Sequence, residues 1–126
     1  MAKILIVEDN RGISDAYSVL LTKEGYEIAK ATNGNDGFAV AQAFKPDLVL
    51  LDMLMPKSNG LDFLKQYEAV TGPKARIIVL SNLGLLQMEL DAGKFGVHRY
   101  LIKSEYSPKQ LLEIIQAELQ AATSKS

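Results

Sequence analysis

Short apolar runs alternate along this chain with longer segments in which apolar residues recur at helical spacing. The strand-like runs are residues 4–7, 27–31, 48–51, 77–80 and 100–102. Unbroken apolar runs bounded by polar or turn residues are typical of strands that are buried on both faces of a parallel sheet. The run at 27–31 is half polar, which favours a place near the edge of the sheet. The alternation predicts five βα units in one α/β domain.

The first two helices are marked by apolar spacing and by the residues at their ends. The first helix carries apolar residues at Ile13, Ala16, Tyr17, Leu20 and Leu21. Gly25 follows it as a C-terminal cap, because glycine adopts the left-handed conformation that ends many helices. Asn33 is placed to cap the second helix, which is expected to stop before Lys45-Pro46.

The remaining helices follow the same logic. The third helix has apolar residues at Phe63, Leu64, Tyr67 and Val70, and its expected end is Gly72-Pro73. A fourth helix is predicted at roughly Leu83–Ala92. The last helix begins at Ser107-Pro108, with Gln110 completing a capping box. Its core-facing residues are Leu111, Leu112, Ile115 and Leu119. The tail at 123–126 is expected to fray.

Composition narrows the class of protein. The 126 residues suit one domain, 1–126, and the net charge of −1 offers no basic surface for nucleic acid or a membrane. There is no cysteine, which excludes disulfides and thiolate metal sites, and the single His98 excludes a histidine-rich metal site. No stretch resembles a signal peptide or a membrane span, so we expect a cytoplasmic domain.

Chemically useful side chains fall at or just beyond the ends of four of the predicted strands. They are Glu8, Asp9, Asp52, Ser81 and Lys103. Ligands of open parallel sheets bind beyond the carboxyl ends of the strands, so these groups define a site. Carboxylates held close together repel one another, and Mg²⁺ relieves that repulsion while retaining water and phosphate oxygens as ligands. The set predicts a carboxylate nucleophile that takes a phosphoryl group, assisted by a metal and an ammonium.

The chain resembles the receiver domain of two-component response regulators along essentially its whole length. The matching segments are Ile4-Leu5-Ile6-Val7-Glu8-Asp9-Asn10, Asp47 to Pro56 with Gly60, Ile78-Val79-Leu80-Ser81, and Tyr100-Leu101-Ile102-Lys103. The resemblance implies a doubly wound five-stranded parallel sheet of order 2-1-3-4-5, with five helices.

The resemblance also implies the roles of the site residues. Asp52 would accept a phosphoryl group from a histidine kinase or a histidine phosphotransfer protein. Mg²⁺ or Mn²⁺ would be bound by Asp9, by Asp52, by the backbone carbonyl of Leu54, and by Glu8 through water. Ser81 and Lys103 would bind the phosphoryl oxygens, and Tyr100 matches the aromatic switch position.

The partner surface is expected on the fourth helix, the fifth strand and the last helix. The fourth helix has two apolar sides, Leu83, Leu86 and Leu90 on one and Leu85, Met88 and Ala92 on the other. A helix that packs on a sheet needs only one. The spare side favours a homodimer or an output partner there.

Three other classes of protein were compared with this interpretation. A phosphorylation-independent interaction module on the same fold would have a degraded acidic pocket, whereas all five site residues are present. A flavin carrier needs a phosphate-binding loop after the first strand, where Glu8 and Asp9 would repel phosphate. A metal-dependent phosphatase needs an acid two residues after its nucleophile, where Leu54 stands.

Two residues depart from the family pattern, and a pair of leucines bears on the chemistry of the site. Receivers usually carry proline after the lysine, often with a cis peptide bond, but Ser104 follows Lys103, and a non-proline cis bond would cost roughly 3 kcal/mol. Asn82 stands where a small residue is usual. Leu54 and Leu83 stand at the two positions that, in receivers, flank the approach of the hydrolytic water. Neither side chain can hydrogen-bond a water, so we expect slow dephosphorylation.

Overall fold

The computed structural model describes residues 2–53, 59–70, 74–81, 94 and 96–124, with side chains as far as residue 121. Its strands are β1 (Lys3–Val7), β2 (Glu27–Ala31), β3 (Leu48–Asp52), β4 (Arg76–Ser81) and β5 (Arg99–Ile102). Its helices are α1 (Arg11–Lys23), α2 (Gly34–Phe44), α3 (Gly60–Glu68) and a C-terminal helix (Pro108–Ser124), and Lys103–Glu105 form a 3₁₀ turn. The predicted fourth helix, with the apolar sides assigned to it, lies outside the described residues.

The five strands form one sheet of order β2-β1-β3-β4-β5, and each neighbouring pair is parallel. The predicted order is therefore confirmed, and so is the edge position of the half-polar strand β2. The central strand β3 is buried along its whole length, which explains its unbroken apolar run. Because all strands are parallel, their carboxyl ends meet at one edge of the sheet.

Two apolar clusters lie on opposite faces of the sheet. Successive residues of a strand point to opposite faces, so Leu5 and Val7 belong to one cluster while Ile4 and Ile6 belong to the other. The first cluster also contains Ala41 from α2, together with Phe63, Leu64 and Tyr67 from α3. The second contains Leu21 from α1, together with Leu111 and Ile115 from the C-terminal helix. Helices thus cover both faces, as a parallel sheet requires.

The predicted helix ends are confirmed at three places. After α1, the Gly25 N–H donates to the Thr22 carbonyl at 3.0 Å, and Gly25 has a φ of 91°. The Asn33 side chain accepts a hydrogen bond from the Asp36 N–H at 2.9 Å and starts α2. Ser107 and Gln110 exchange hydrogen bonds of 2.8 and 3.2 Å as a capping box. These ends depend on local chemistry, which is why the sequence predicts them.

Two helix ends differ from the prediction. Helix α3 ends at Glu68, so Val70 lies beyond it, because the Val70 N–H turns back to the Tyr67 carbonyl at 3.0 Å. The Tyr67 hydroxyl then accepts a hydrogen bond from the Ala75 N–H and ties the chain to the start of β4. The C-terminal helix continues to Ser124, into the segment for which we expected fraying.

Within the described part of the chain, no helix has both the length and the hydropathy that crossing a membrane requires.

Candidate functional site

The predicted site residues meet at the carboxyl edge of the sheet. Glu8 directly follows β1, Asp52 and Ser81 are the last residues of β3 and β4, and Lys103 directly follows β5. The strand register brings these ends to one level, since Val7 pairs with Leu51 and Ser81 pairs with Ile102. Residues separated by almost the whole chain therefore become neighbours.

Three carboxylates form the centre of the site. One oxygen each of Glu8, Asp9 and Asp52 lies within 4.8 Å of the others. Glu8 and Asp52 are buried, whereas Asp9 is exposed at the rim. Oxygen ligands at this spacing are those that a hard divalent cation prefers, so this cluster can hold a metal ion.

Local contacts hold Glu8 in place and leave Asp9 at the rim of the site. The Glu8 N–H donates to the Ala31 carbonyl on β2 at 3.0 Å, so Glu8 is held at the level of the sheet edge. The Asn10 N–H donates to Glu8 Oε2 at 3.2 Å, and the Asn10 side chain caps α1 through the Ile13 N–H. Asp9 is thereby left in the bend between strand and helix, where it faces solvent.

Lys103 joins the acidic cluster from the far end of the chain. Its Nζ lies 2.5 Å from Glu8 Oε1 and 3.5 Å from Asp52 Oδ2. The Lys103 side chain is only 10% exposed, so this ion pair is largely shielded from water. One ammonium faces three carboxylates, which leaves the cluster short of positive charge.

The electrostatics of the site follow from burial. Burial raises the pKa of Glu8 to about 7; the Asp52 charge adds to this shift and the Lys103 hydrogen bond opposes it. Burial lowers the pKa of Lys103, but the hydrogen bond to Glu8 and the charge of Asp52 outweigh burial, so the pKa is raised overall. Near neutral pH, Lys103 is charged and Glu8 titrates.

The raised pKa of Glu8 has a consequence for stability. The folded protein holds the Glu8 proton more tightly than the unfolded chain, so the free energy of unfolding should fall as pH rises from about 4.5 to about 7. We expect Glu8→Gln to remove roughly 1–3 kcal/mol of this pH dependence in urea unfolding with a chelator present. Glu27→Gln, at an exposed acid of β2, is the control. An unchanged slope in Glu8→Gln would contradict the assignment.

Ser81 lies on β4, which pairs with β3, and Tyr100 lies on β5, the edge strand that pairs with β4. Ser81 is fully buried at the end of β4. Tyr100 pairs with Val79 and packs against the apolar cluster to which Val79 belongs. The Tyr100 hydroxyl is buried and has no hydrogen-bond partner among the described residues. A buried hydroxyl without a partner is unfavourable, so this side chain has a reason to prefer another position.

The loop that carries Lys103 differs from the family pattern at Ser104. No cis peptide bond occurs in the described ranges, so the Lys103–Ser104 bond is trans. The chain turns there through the 3₁₀ turn at Lys103–Glu105. Leu54, Asn82 and Leu83, which carried the remaining expectations, lie outside the described residues.

The sequence pattern assigned Tyr17, a side chain near the site, only to the hydrophobic core. Tyr17 on α1 is half-buried, and burial raises its pKa; the Lys103 charge opposes this shift, and the charges of Glu8 and Asp52 add to it. Helical spacing identified it correctly as an inward-facing residue. The sequence signal that could have placed it near the site is the lean of helical side chains toward the helix N-terminus.

Comparison with known proteins identifies the family. The sequence profile of the response regulator receiver domain matches residues 4–116, which is most of the chain. The chain belongs to the response regulator receiver family. Such receivers are signalling domains of two-component systems and not classical enzymes.

The receiver has relatives of its own length and longer ones. It is 34% identical over 114 residues to the chemotaxis protein CheY of Thermotoga maritima, covering 90% of this chain and 93% of that protein. A CheY-like receiver domain protein from Methanospirillum hungatei superimposes with a TM-score of 0.91 at 27% identity, over 100% of this chain and 99% of that one. The receiver is also 37% identical over 125 residues to the uncharacterized transcriptional regulatory protein YcbL of Bacillus subtilis, covering 97% of this chain and 53% of that protein.

Proposed function

We propose that this receiver accepts a phosphoryl group on Asp52 from a histidine kinase or a histidine phosphotransfer protein. The observation that carries the proposal is the convergence on Asp52 of two further acids and the Lys103 ammonium, at the end of the central strand. An Asp52 carboxylate oxygen would attack phosphorus in line, and the bond from phosphorus to the donor histidine nitrogen would break.

The groups around Asp52 can stabilise the negative charge of the phosphoryl oxygens. Lys103 Nζ, 3.5 Å from Asp52 Oδ2, can pair with a phosphoryl oxygen of the product. Ser81, buried at the next strand end, offers a hydroxyl donor. We assign to both the binding of the phosphoryl oxygens.

A divalent cation fits the same cluster. The three carboxylates crowd within 4.8 Å with one ammonium beside them, and Mg²⁺ or Mn²⁺ would supply the missing positive charge. We assign Asp9 and Asp52 as direct ligands and Glu8 as a ligand through water. The Leu54 carbonyl completes the set by resemblance alone. When bound, the ion neutralises charge on the phosphoryl oxygens.

We further propose that phosphorylation is read through Tyr100. Its buried hydroxyl has no partner within the described ranges, so a change at Ser81 that opened another position would lower its free energy. The signal would pass to the face formed by the predicted fourth helix, β5 and the C-terminal helix. A homodimer or an output partner would bind there.

Phosphorylation by a small donor tests the proposal. Incubation with acetyl phosphate and Mg²⁺ should add one phosphoryl group to the intact mass, and a chelator should prevent the addition, because the crowded carboxylates need a cation. The same chelator with enough added Mg²⁺ to restore the original free concentration serves as the control for the chelator itself. Failure to gain mass with the metal present would favour a phosphorylation-independent interaction module on this fold.

A further inference from the structure

The first turn of α3 lies directly against the backbone at the end of β3. The Gly60 N–H, at the first position of the helix, donates to the Met53 carbonyl at 3.2 Å. A Cβ atom at Gly60 would lie 2.6 Å from the Asp52 carbonyl oxygen and 3.0 Å from the Met53 Cα. Side chains do not approach backbone atoms that closely, so the helix can start here only with a glycine.

The backbone of Asp52 and Met53 is fixed relative to this turn. Asp52 pairs with Leu80 on β4. The Met53 side chain is fully buried in the first apolar cluster, together with Phe63 and Leu64 of α3. Protein interiors are close-packed, so a displacement of the first turn of α3 is passed to the backbone of Asp52.

The start of α3 is itself held on two sides. The Asn59 side chain accepts a hydrogen bond from the Asp62 N–H at 3.0 Å, and the Asp62 side chain accepts one from the Asn59 N–H at 2.9 Å. This capping box fixes the first turn. Helix α2 lies against the same turn, because a Cβ atom at Gly34 would overlap the Asn59 carbonyl oxygen. The first turn of α3 is therefore enclosed between α2 and the end of β3.

We propose that Gly60 is a positioning residue for the phosphorylation of Asp52. Because it has no side chain, the first turn of α3 can rest on the Asp52 backbone and set the direction of the carboxylate. The inference rests on the proposed phosphorylation of Asp52. In-line attack on phosphorus needs a nucleophile that is placed to within a fraction of an ångström, so a small displacement slows transfer while the phosphodonor binds as before.

Kinetics of the whole chain with acetyl phosphate at saturating Mg²⁺ test the role. Gly60→Ala should lower the maximal rate constant at least about tenfold with the half-saturation concentration nearly unchanged, because the change displaces the nucleophile. Gly37→Ala is the matched control, since a Cβ atom there is crowded by the side chains of Val7 and Phe63 and not by the Asp52 backbone. It should react at the parental rate. A parental rate in Gly60→Ala, or an equal loss in Gly37→Ala, overturns the proposal.

A milder variant tests the same role if Gly60→Ala does not fold, which circular dichroism shows. Asp62→Ala opens the capping box without adding an atom, so the first turn of α3 is held less firmly. It should lower the maximal rate constant about threefold. Asp62→Glu keeps an acceptor for the Asn59 N–H and should restore most of the rate. A parental rate in Asp62→Ala, or a loss that Asp62→Glu leaves unchanged, overturns the proposal.

A second measurement does not need phosphorylation. In protein with ¹³C-labelled aspartate and a chelator present, Asp52→Asn assigns the carbonyl and carboxyl carbon signals of Asp52. Gly60→Ala should shift these signals and Gly37→Ala should not, and unmoved signals in Gly60→Ala overturn the inference. A parent that gains no phosphate refutes the proposed function, while the Asp52 signals still decide whether Gly60 positions this residue.

Discussion

Replacing Asp52 by asparagine is expected to abolish phosphorylation of this receiver by acetyl phosphate or by a partner kinase. Asparagine has nearly the same shape as aspartate, so the buried end of β3 should remain packed. The amide has no anionic oxygen to attack phosphorus, and we expect the rate to fall by at least about two orders of magnitude. Intact mass after timed incubation measures the loss.

The control for Asp52→Asn is Asp15→Asn, which removes an exposed carboxylate on α1 that pairs with Lys30. It should be labelled at the parental rate. Asp9→Asn should retain labelling at high Mg²⁺ and lose it at lower concentrations, because it removes a ligand and leaves the nucleophile in place. Labelling of Asp52→Asn at the parental rate would exclude Asp52 as the phosphoacceptor.

The second large effect concerns the Lys103 ammonium, which lies among the acids. Lys103→Met removes the only ammonium paired with Glu8 and Asp52 in the described structure, and leaves two buried carboxylates without it. Breaking a buried ion pair from one side is strongly destabilising, so we expect a loss of about 2–4 kcal/mol in the free energy of unfolding near pH 8. Urea unfolding with a chelator present measures it.

Two conditions should reverse much of that loss. Because the pKa of Glu8 is raised, lowering the pH below about 7 protonates the acid and removes the unpaired charge. Millimolar Mg²⁺ should supply the missing charge directly. Lys30→Met breaks an exposed pair of 2.8 Å with Asp15 and should lose far less stability at either pH, because water screens that pair. Equal losses of stability in Lys103→Met and Lys30→Met would show that the buried pair contributes no more than the exposed one.

The local features of the fold were predictable because their causes are local. Gly25, Asn33 and the Ser107–Gln110 pair end or begin helices through hydrogen bonds between residues three positions apart. The apolar runs predicted the strands because a strand covered on both faces has no polar position. The early end of α3 was missed: the Val70 N–H turns back to the Tyr67 carbonyl, and the Tyr67 hydroxyl accepts a hydrogen bond from Ala75, eight residues later, which helical spacing does not indicate.

The sequence by itself determined which groups reach the carboxyl edge of the sheet, since each follows a recognisable strand and parallel strands end at one edge. It did not determine how those groups pair. Glu8 and Lys103 are 95 residues apart, and only the strand order and register bring their atoms within 2.5 Å. Burial then decides the electrostatics. A glutamate in water has a pKa of about 4.5, whereas the tertiary surroundings of Glu8 raise its pKa to about 7. The charges of that pair also act on the pKa of Tyr17. The packing of α1 on the sheet decides this, because a helical pattern indicates which face is buried but not which groups lie opposite it.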